Sequence, residues 1–375
     1  MEYKLEDVFD LQMGKTPSRD RADYWNTNDF KWISIADLTK SDKFISETKE
    51  YLSSIAVKES GISLIPSNTV IMSFKLSIGK AAITTEPMYS NEAIMAFKDK
   101  HVIQLLPDYV YYMLTGKNWD ECTNKAVKGK TLNKATLSKI KVNIHDLPKQ
   151  REIVAVLDKT KSLIDKRNRE LKQLDNLIKA RFVELFGDPK INNKGFIKAP
   201  LGDYITVLTD FSSNGSYKTL DSGVTMYDTP NYAWMVRTTD LDSGDMTSIK
   251  YIDKQAYELL SKSKIYGGEI IMNKIGSAGK VYLMPKINMP ASLGRNAFMF
   301  RFDDRINVRF LFEQLVSEYG QAEIKQYVRG AVTQTITKDD ARAVLIIVPD
   351  KVLQDEYVDF IEQIDKSKFV GMNFK

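Results

Sequence analysis

Two Gly-Lys-Thr triplets, Gly14–Thr16 and Gly129–Thr131, are the first residues in this chain whose types suggest chemistry. A glycine turn followed by a lysine and a hydroxyl can cradle a phosphate, but such a loop needs another glycine five residues before the second one. Those positions hold Phe9 and Asn124, so both triplets read as basic turns. Methyl transfer to an exocyclic base amine would call for an Asn/Asp-Pro-Pro-aromatic element, and no Pro-Pro occurs. A nuclease would place Glu-x-Lys close after Pro-Asp. Pro107-Asp108 and Pro349-Asp350 lack such a partner, and Glu47-Thr48-Lys49 and Glu323-Ile324-Lys325 lack a nearby Pro-Asp. His101, His145 and the single cysteine, Cys122, have no metal-ligand spacing.

What remains is a set of basic, small-polar turns. In the first half they run over 15–21, 75–80 and 125–134, and in the second over 237–240, 274–280, 295–296 and 329–338. Lysine and arginine suit nucleic-acid phosphates, and Arg, Asn, Gln, Ser and Thr suit base edges. The candidate DNA contacts are Lys15, Thr16, Lys75, Lys80, Lys128 and Lys130, then Arg237, Thr238, Lys274, Lys280, Arg295, Asn296, Arg329 and Gln334. For any one loop a solvated turn is the default. Recurrence of the set in both halves weighs for a shared binding face.

That recurrence is an internal repeat. Val70–Lys80 (VIMSFKLSIGK) matches Ile270–Lys280 (IIMNKIGSAGK) at an offset of 200 (279 − 79), and the segment Trp32–Leu38 resembles Trp234–Leu241 with one residue inserted. Asn91–Met95 parallels Arg295–Met299, and Leu5-Glu-Asp resembles Leu201-Gly-Asp. Two diverged copies of one domain follow, each with short Ile/Val/Met strands, a helix (109–115 and 309–327) and a closing strand (140–144 and 343–348).

Each copy then enters a helix through a proline, Pro148 and Pro349, which suits a first turn because its missing N–H has no partner there. Alternating steps of four and three from Ile153 pass through Leu157, Thr160, Ile164, Arg167, Leu171, Leu174, Ile178, Arg181 and Leu185. Most are apolar amid charged residues, the repeat of a helix laying a seam on a partner helix. Gly187 and Pro189 end it, after a rod of roughly 50 Å. Aligning Gln150 with Gln354 sets Ile361 and Ile364 in the second seam, at the positions equivalent to Leu157 and Thr160. The second helical pattern fades near Phe369, which leaves about 150–169 of the first helix, with Ile153, Leu157 and Ile164, for another chain to cover.

With 375 residues, 43% apolar, no run of eighteen apolar residues and no apolar leader, the chain reads as a soluble, multidomain, cytoplasmic protein. Its net charge of +5, from 54 basic and 49 acidic residues, is mild, so clustering of charge matters more than the total.

Together, Gly14-Lys-Thr-Pro17, Trp32–Leu38, Ile71–Ser73 with Gly79-Lys80, Pro148-x-Gln150 and the closing Glu184-Leu-Phe-Gly-Asp188 resemble the DNA specificity subunit of type I restriction–modification systems. The resemblance implies a mixed α/β fold with two tandem target recognition domains, 1–147 and 189–349. It separates them by antiparallel coiled-coil spacers, 148–188 and a partial 350–375. It implies that each domain reads half of a two-part duplex DNA target and that the chain catalyses nothing. Two methyltransferase subunits carrying S-adenosylmethionine would dock on the helices, with a restriction subunit in the complex. Self-association or a complementing helix is a further expectation. The rival reading is a helical scaffold joining two protein-binding modules that never touch DNA. Copy two departs from the pattern with Thr209–Gly215 in place of the Gly-Lys-Thr-Pro turn, so the two domains are expected to read different half-sites.

Overall fold

The structure, a computed structural model, describes residues 1–25, 27–75, 77–119, 132–245 and 247–370, with the backbone alone at 369–370. Two compact units result, Met1–Arg167 and Asn168–Lys375, and the division falls within one continuous helix, Leu147–Phe186.

Each unit is built around one short strand of Ile, Val and Met. In the first, Val70–Ser73 lies between Ile94–Asp99 and Ala81–Thr84, both antiparallel to it, in a five-stranded sheet completed by Phe9–Met13 and Phe44–Ile45. In the second, Ile270–Asn273 lies between Ala297–Phe302 and Val281–Leu283, with Ile205–Asp210 outside. Because side chains alternate along a strand, each central strand feeds two cores. Val70 and Met72 face one and Ile71 the other, as Ile270 and Met272 oppose Ile271. A second small sheet packs beside each, around Phe30–Ile33 in one unit and Ala233–Val236 in the other.

The repeat expected from sequence is present in the backbone. Ser73 N–H donates to Lys80 O (2.8 Å) and Gly79 N–H to Ser73 O (3.0 Å), and Asn273, Lys280 and Gly279 repeat the pair at 2.9 Å each. Gly79 and Gly279 take φ of +89° and +85°, the left-handed region a Cβ disfavours, and a Cβ there would strike Trp119 or Ile324.

The structure corrects the register of the tryptophans. Asp37 and Asp240 each accept the N–H three residues earlier, from Ser34 (3.0 Å) and Arg237 (3.1 Å), so the offset here is 203 (240 − 37). Trp32 faces the cluster of Tyr24, Leu52 and Tyr89, and its counterpart is Met235. Trp234 stands on the opposite face with Val236. The same offset holds at the next segment, where Met72 pairs with Met95 and Met272 with Phe298, so Met95 and Met299 do not correspond. The helix expected over 309–327 is two, Val308–Val316 and Glu318–Lys325. Extended Ser317 breaks it and caps the second helix, its Oγ accepting Gly320 N–H at 3.1 Å.

The seam residues divide into three groups. Ile153 packs, with Val154, on the core of the first unit rather than in a seam with a second spacer helix. Leu157 and Ile164 are 37% and 55% exposed, beside Val156 at 58% and Leu163 at 59%, so the described residues leave these four side chains exposed. Ile178, Ile361 and Ile364 are buried, Leu174 and Leu185 are partly buried beside them, and Leu171 is half-buried. Here the closing helix, Lys351–Val370, runs antiparallel to the end of the long one. Arg181 meets Glu356 (2.6 Å) and Asp175 meets Lys368 (2.8 Å), so partner numbers rise on one helix as they fall on the other. Phe182 and Phe186 fill the joint with Phe310 and Tyr357, the rings 4.8–6.3 Å apart. Gly187, at φ +71°, ends the helix as expected.

Phe186 is fully buried, so Phe186→Ala leaves a cavity that costs about 3–5 kcal/mol. Urea unfolding should show that loss in the second unit, with the first unit's transition unmoved.

Candidate nucleic-acid interface

The predicted polar residues of the second unit sit on segments tied to one another by backbone hydrogen bonds. Gly294 N–H donates to Val236 O (2.7 Å), Lys274 N–H to Asn296 O (2.8 Å) and Ile336 N–H to Lys274 O (3.1 Å). Gly276 pairs with Gln334, and Arg329 with Thr335. Arg237, Thr238, Lys274, Arg295, Asn296, Gln334 and Arg329 thereby lie along one edge. Arg237, Thr238, Arg295 and Asn296 line a single cleft of about 340 Å³, whose apolar floor is Phe211, Val224, Met226 and Met235. Asn296 holds φ +67°, a conformation asparagine tolerates better than most residues.

In the first unit the same place is occupied by the chain itself. Lys15 N–H donates to Ser90 O (2.8 Å) and Asn91 N–H to Ile33 O (3.0 Å), the latter matching Gly294 with Val236 at offset 203. Thr16 bonds Glu92 and accepts from Asn91 Nδ2 (3.3 Å), and Trp32 Nε1 donates to Lys15 O (3.1 Å). Gly14 has no room for a side chain, since a Cβ would come within 2.3 Å of the Ser90 and Asn91 carbonyls. Phe211 follows strand residue Asp210 as Gly14 follows Met13, and it floors the cleft where Gly14 closes the turn. Arg19 stacks 3.7 Å from the Trp25 ring centre and pairs with Glu50. Lys75 lies over Phe74, and Lys80 is exposed. Lys128, Lys130 and Cys122 lie outside the described residues. A separate cleft of about 460 Å³, between Phe9, Asn68, His101 and Val110, contains none of the predicted contacts.

Sequence reasoning missed the acids. Arg237 is held by Asp240 and also donates to Ser248 O (2.9 Å), Lys280 meets Asp242, Arg295 meets Asp221, and Arg329 meets Asp340 at 2.8 Å. Buried Asp210 binds two lysines, Lys274 (2.7 Å) and Lys338 at the end of the 329–338 turn (2.9 Å), plus Ser212 and Ser213. The rim of the second unit is thus a row of paired charges, oriented donors rather than bare cations. The signal was an aspartate three residues after Arg237 and another ending the strand. Nothing in sequence periodicity pairs Asp221 with Arg295. Among the described residues, no group of three or more His, Cys, Asp or Glu is arranged to hold a metal ion, and no helix is long and apolar enough to cross a membrane.

Burial pushes the Asp210 carboxyl up, but the hydrogen bonds from Lys274, Ser212, Ser213 and Lys338 outweigh it and hold the group well below the ordinary carboxylate range. A depressed folded pKa stabilises above the unfolded value, about 3.9, and that share is lost as pH falls toward the folded value. Urea midpoints should therefore fall more steeply on acidification below about pH 5 in the wild-type chain than in Asp210→Asn.

Residues 1–176 match the family described as the type I restriction modification DNA specificity domain. The MjaIX specificity subunit of Methanocaldococcus jannaschii is 25% identical over 189 residues, 49% of this chain and 43% of that protein. The EcoprrI specificity subunit of Escherichia coli is 30% identical over 99 residues, 26% of this chain and 24% of that one. The chain thus spans less than half the length of these curated relatives. The type I S subunit from M. genitalium aligns over 98% of this chain and 90% of its own, with TM-score 0.55 and 12% identity. A chain from a structural study of type I complex assembly aligns over 99% and 91%, with TM-score 0.58 and 16% identity. Both show a shared mixed α/β fold with tandem domains and a long helix.

Proposed function

For a chain whose first 176 residues match the type I restriction modification DNA specificity domain, we propose a non-catalytic subunit that reads a two-part duplex DNA target. The first domain reads one half and the second the other. One observation carries this. The same rim is built twice on equivalent backbone hydrogen bonds, Asn91 to Ile33 and Gly294 to Val236, and is furnished with different side chains. A scaffold conserved within one chain with a variable rim suits two readers of one ligand class and different sequences.

Arg237, Thr238, Arg295 and Asn296 serve as the second reader. A guanidinium can grip guanine with two bonds, and an asparagine adenine. Phosphate attraction comes from cations with no carboxylate partner among the described residues, such as Lys80 and Lys75. The exposed stretch with Val156, Leu157, Leu163 and Ile164 is a docking surface for methyltransferase subunits, which supply S-adenosylmethionine, or for a complementing helix. Light scattering with and without those subunits checks it.

Methylome sequencing of a host expressing the chain tests the two-reader assignment. Replacing residues 1–147 with a homologous domain should change one half of the methylated motif and spare the other. Simultaneous change of both halves would contradict it. Among the cations, Lys80→Ala should weaken all duplexes alike and reduce the salt slope by about one unit. Lys280→Ala should reduce it less, because Asp242 already offsets that charge. Equal slopes in the two variants would count against the distinction.

A further inference from the structure

Both helices begin with a buried glutamine whose amide is fully used. Gln150 is 1% exposed and Gln354 fully buried. The Gln150 Oε1 accepts Leu106 N–H (3.0 Å), and its Nε2 donates to Gln104 O and His145 O (2.9 Å each). The Gln354 Oε1 accepts Asn307 N–H (2.8 Å), and its Nε2 donates to Arg305 O (3.1 Å) and Pro349 O (2.8 Å). In each copy one side chain joins three pieces of backbone: the segment before a domain helix, the segment before its own helix, and the helix itself. Only a primary amide offers one acceptor and two donors here. A glutamate would face two carbonyls with a carboxylate, and an aliphatic residue would leave three backbone groups without that partner.

A second fixing point lies further along each helix. Buried Lys43 holds Asp158 and Asp108, both at 2.6 Å, and Lys161 holds Asp42 at 2.9 Å. In the second copy Asn307 donates to Asp355 (2.7 Å) and Arg309 meets Asp365 (3.1 Å). Eight residues of helix separate Gln150 from Asp158, about 12 Å. Two points that far apart set the direction of a helix against its domain, not only its place.

We infer that Gln150 and Gln354 are positioning residues for the gap between half-sites. Each transmits the direction of its helix to the domain that reads DNA, without touching DNA. This rests on the two-reader assignment above. A domain free to pivot on its helix still reads its own half, but accepts that half at the wrong distance and rotation from the other.

The test uses the full chain and duplexes carrying both half-sites of its methylated motif at the native gap and at gaps one and two base pairs longer or shorter. The wild-type chain should prefer the native gap by roughly tenfold or more, the scale of one mismatched pair. Gln150→Leu should keep both half-site footprints and flatten that preference to about threefold. Asp158→Asn, at a partly exposed position still within reach of Tyr112, should flatten it less and decides the matter should Gln150→Leu fail to fold. A wild-type gap profile in the folded variants, with affinity lowered equally at every gap, would overturn the inference. A wild-type chain indifferent to the second half-site would instead count against the two-reader assignment, and is seen before any variant is made.

Discussion

Each unit depends on a four-residue strand buried on both faces. Val70–Ser73 and Ile270–Asn273 have no exposed residue, and successive side chains serve different cores. A slip of one residue would exchange the contents of the two cores, so register is held tightly. The strand's end is then a fixed origin. The glycine turn that follows, the segments from Asn91 and Gly294, and the strand leading to Gly14 or Phe211 all hang from it through backbone hydrogen bonds. Side chains on those segments can differ between copies while the backbone bonds shared by the two copies stay the same.

The paired charges of the second rim alter how such a surface works. A bare cation attracts any phosphate at long range, whereas a cation beside a carboxylate attracts little until it is brought into contact and exchanges partners. Carboxylates also repel a backbone that approaches in the wrong register. Arg237, Lys274, Lys280, Arg295 and Arg329 are all held this way, which on the proposed reading would favour discrimination over attraction.

Much of the architecture was legible because duplication prints the same turn twice. Gly79 and Gly279 mark positions where only glycine suits the backbone, so their spacing fixed the repeat. The long helix was legible from an unbroken charged and apolar pattern ending at Gly187. The tryptophans misled, because matching residue types outweighed a one-residue insertion that swaps faces. Ile153 fits a helical seam by spacing alone, and spacing does not say whether a helix or a domain core covers it. Ser317 could not be told from a surface serine without Gly320 crowding against Gln314. The cleft was half legible: its arginines and Asn296 stood out, but its floor is made of Phe211, Val224, Met226 and Met235, brought together from distant stretches that look like any other core residues.

The unequal tryptophans give the two units separate optical signatures. Three of the four indoles, Trp25, Trp32 and Trp119, belong to the first unit, and Trp234 is alone in the second. Trp234 is buried in a cluster of aliphatic, methionine and tyrosine side chains, and its Nε1 finds no acceptor among the described residues. An indole so placed emits at short wavelength and shifts to the red on contact with water. With the other three replaced by phenylalanine, the intrinsic emission of this chain becomes a single-site reporter on the core of its second unit.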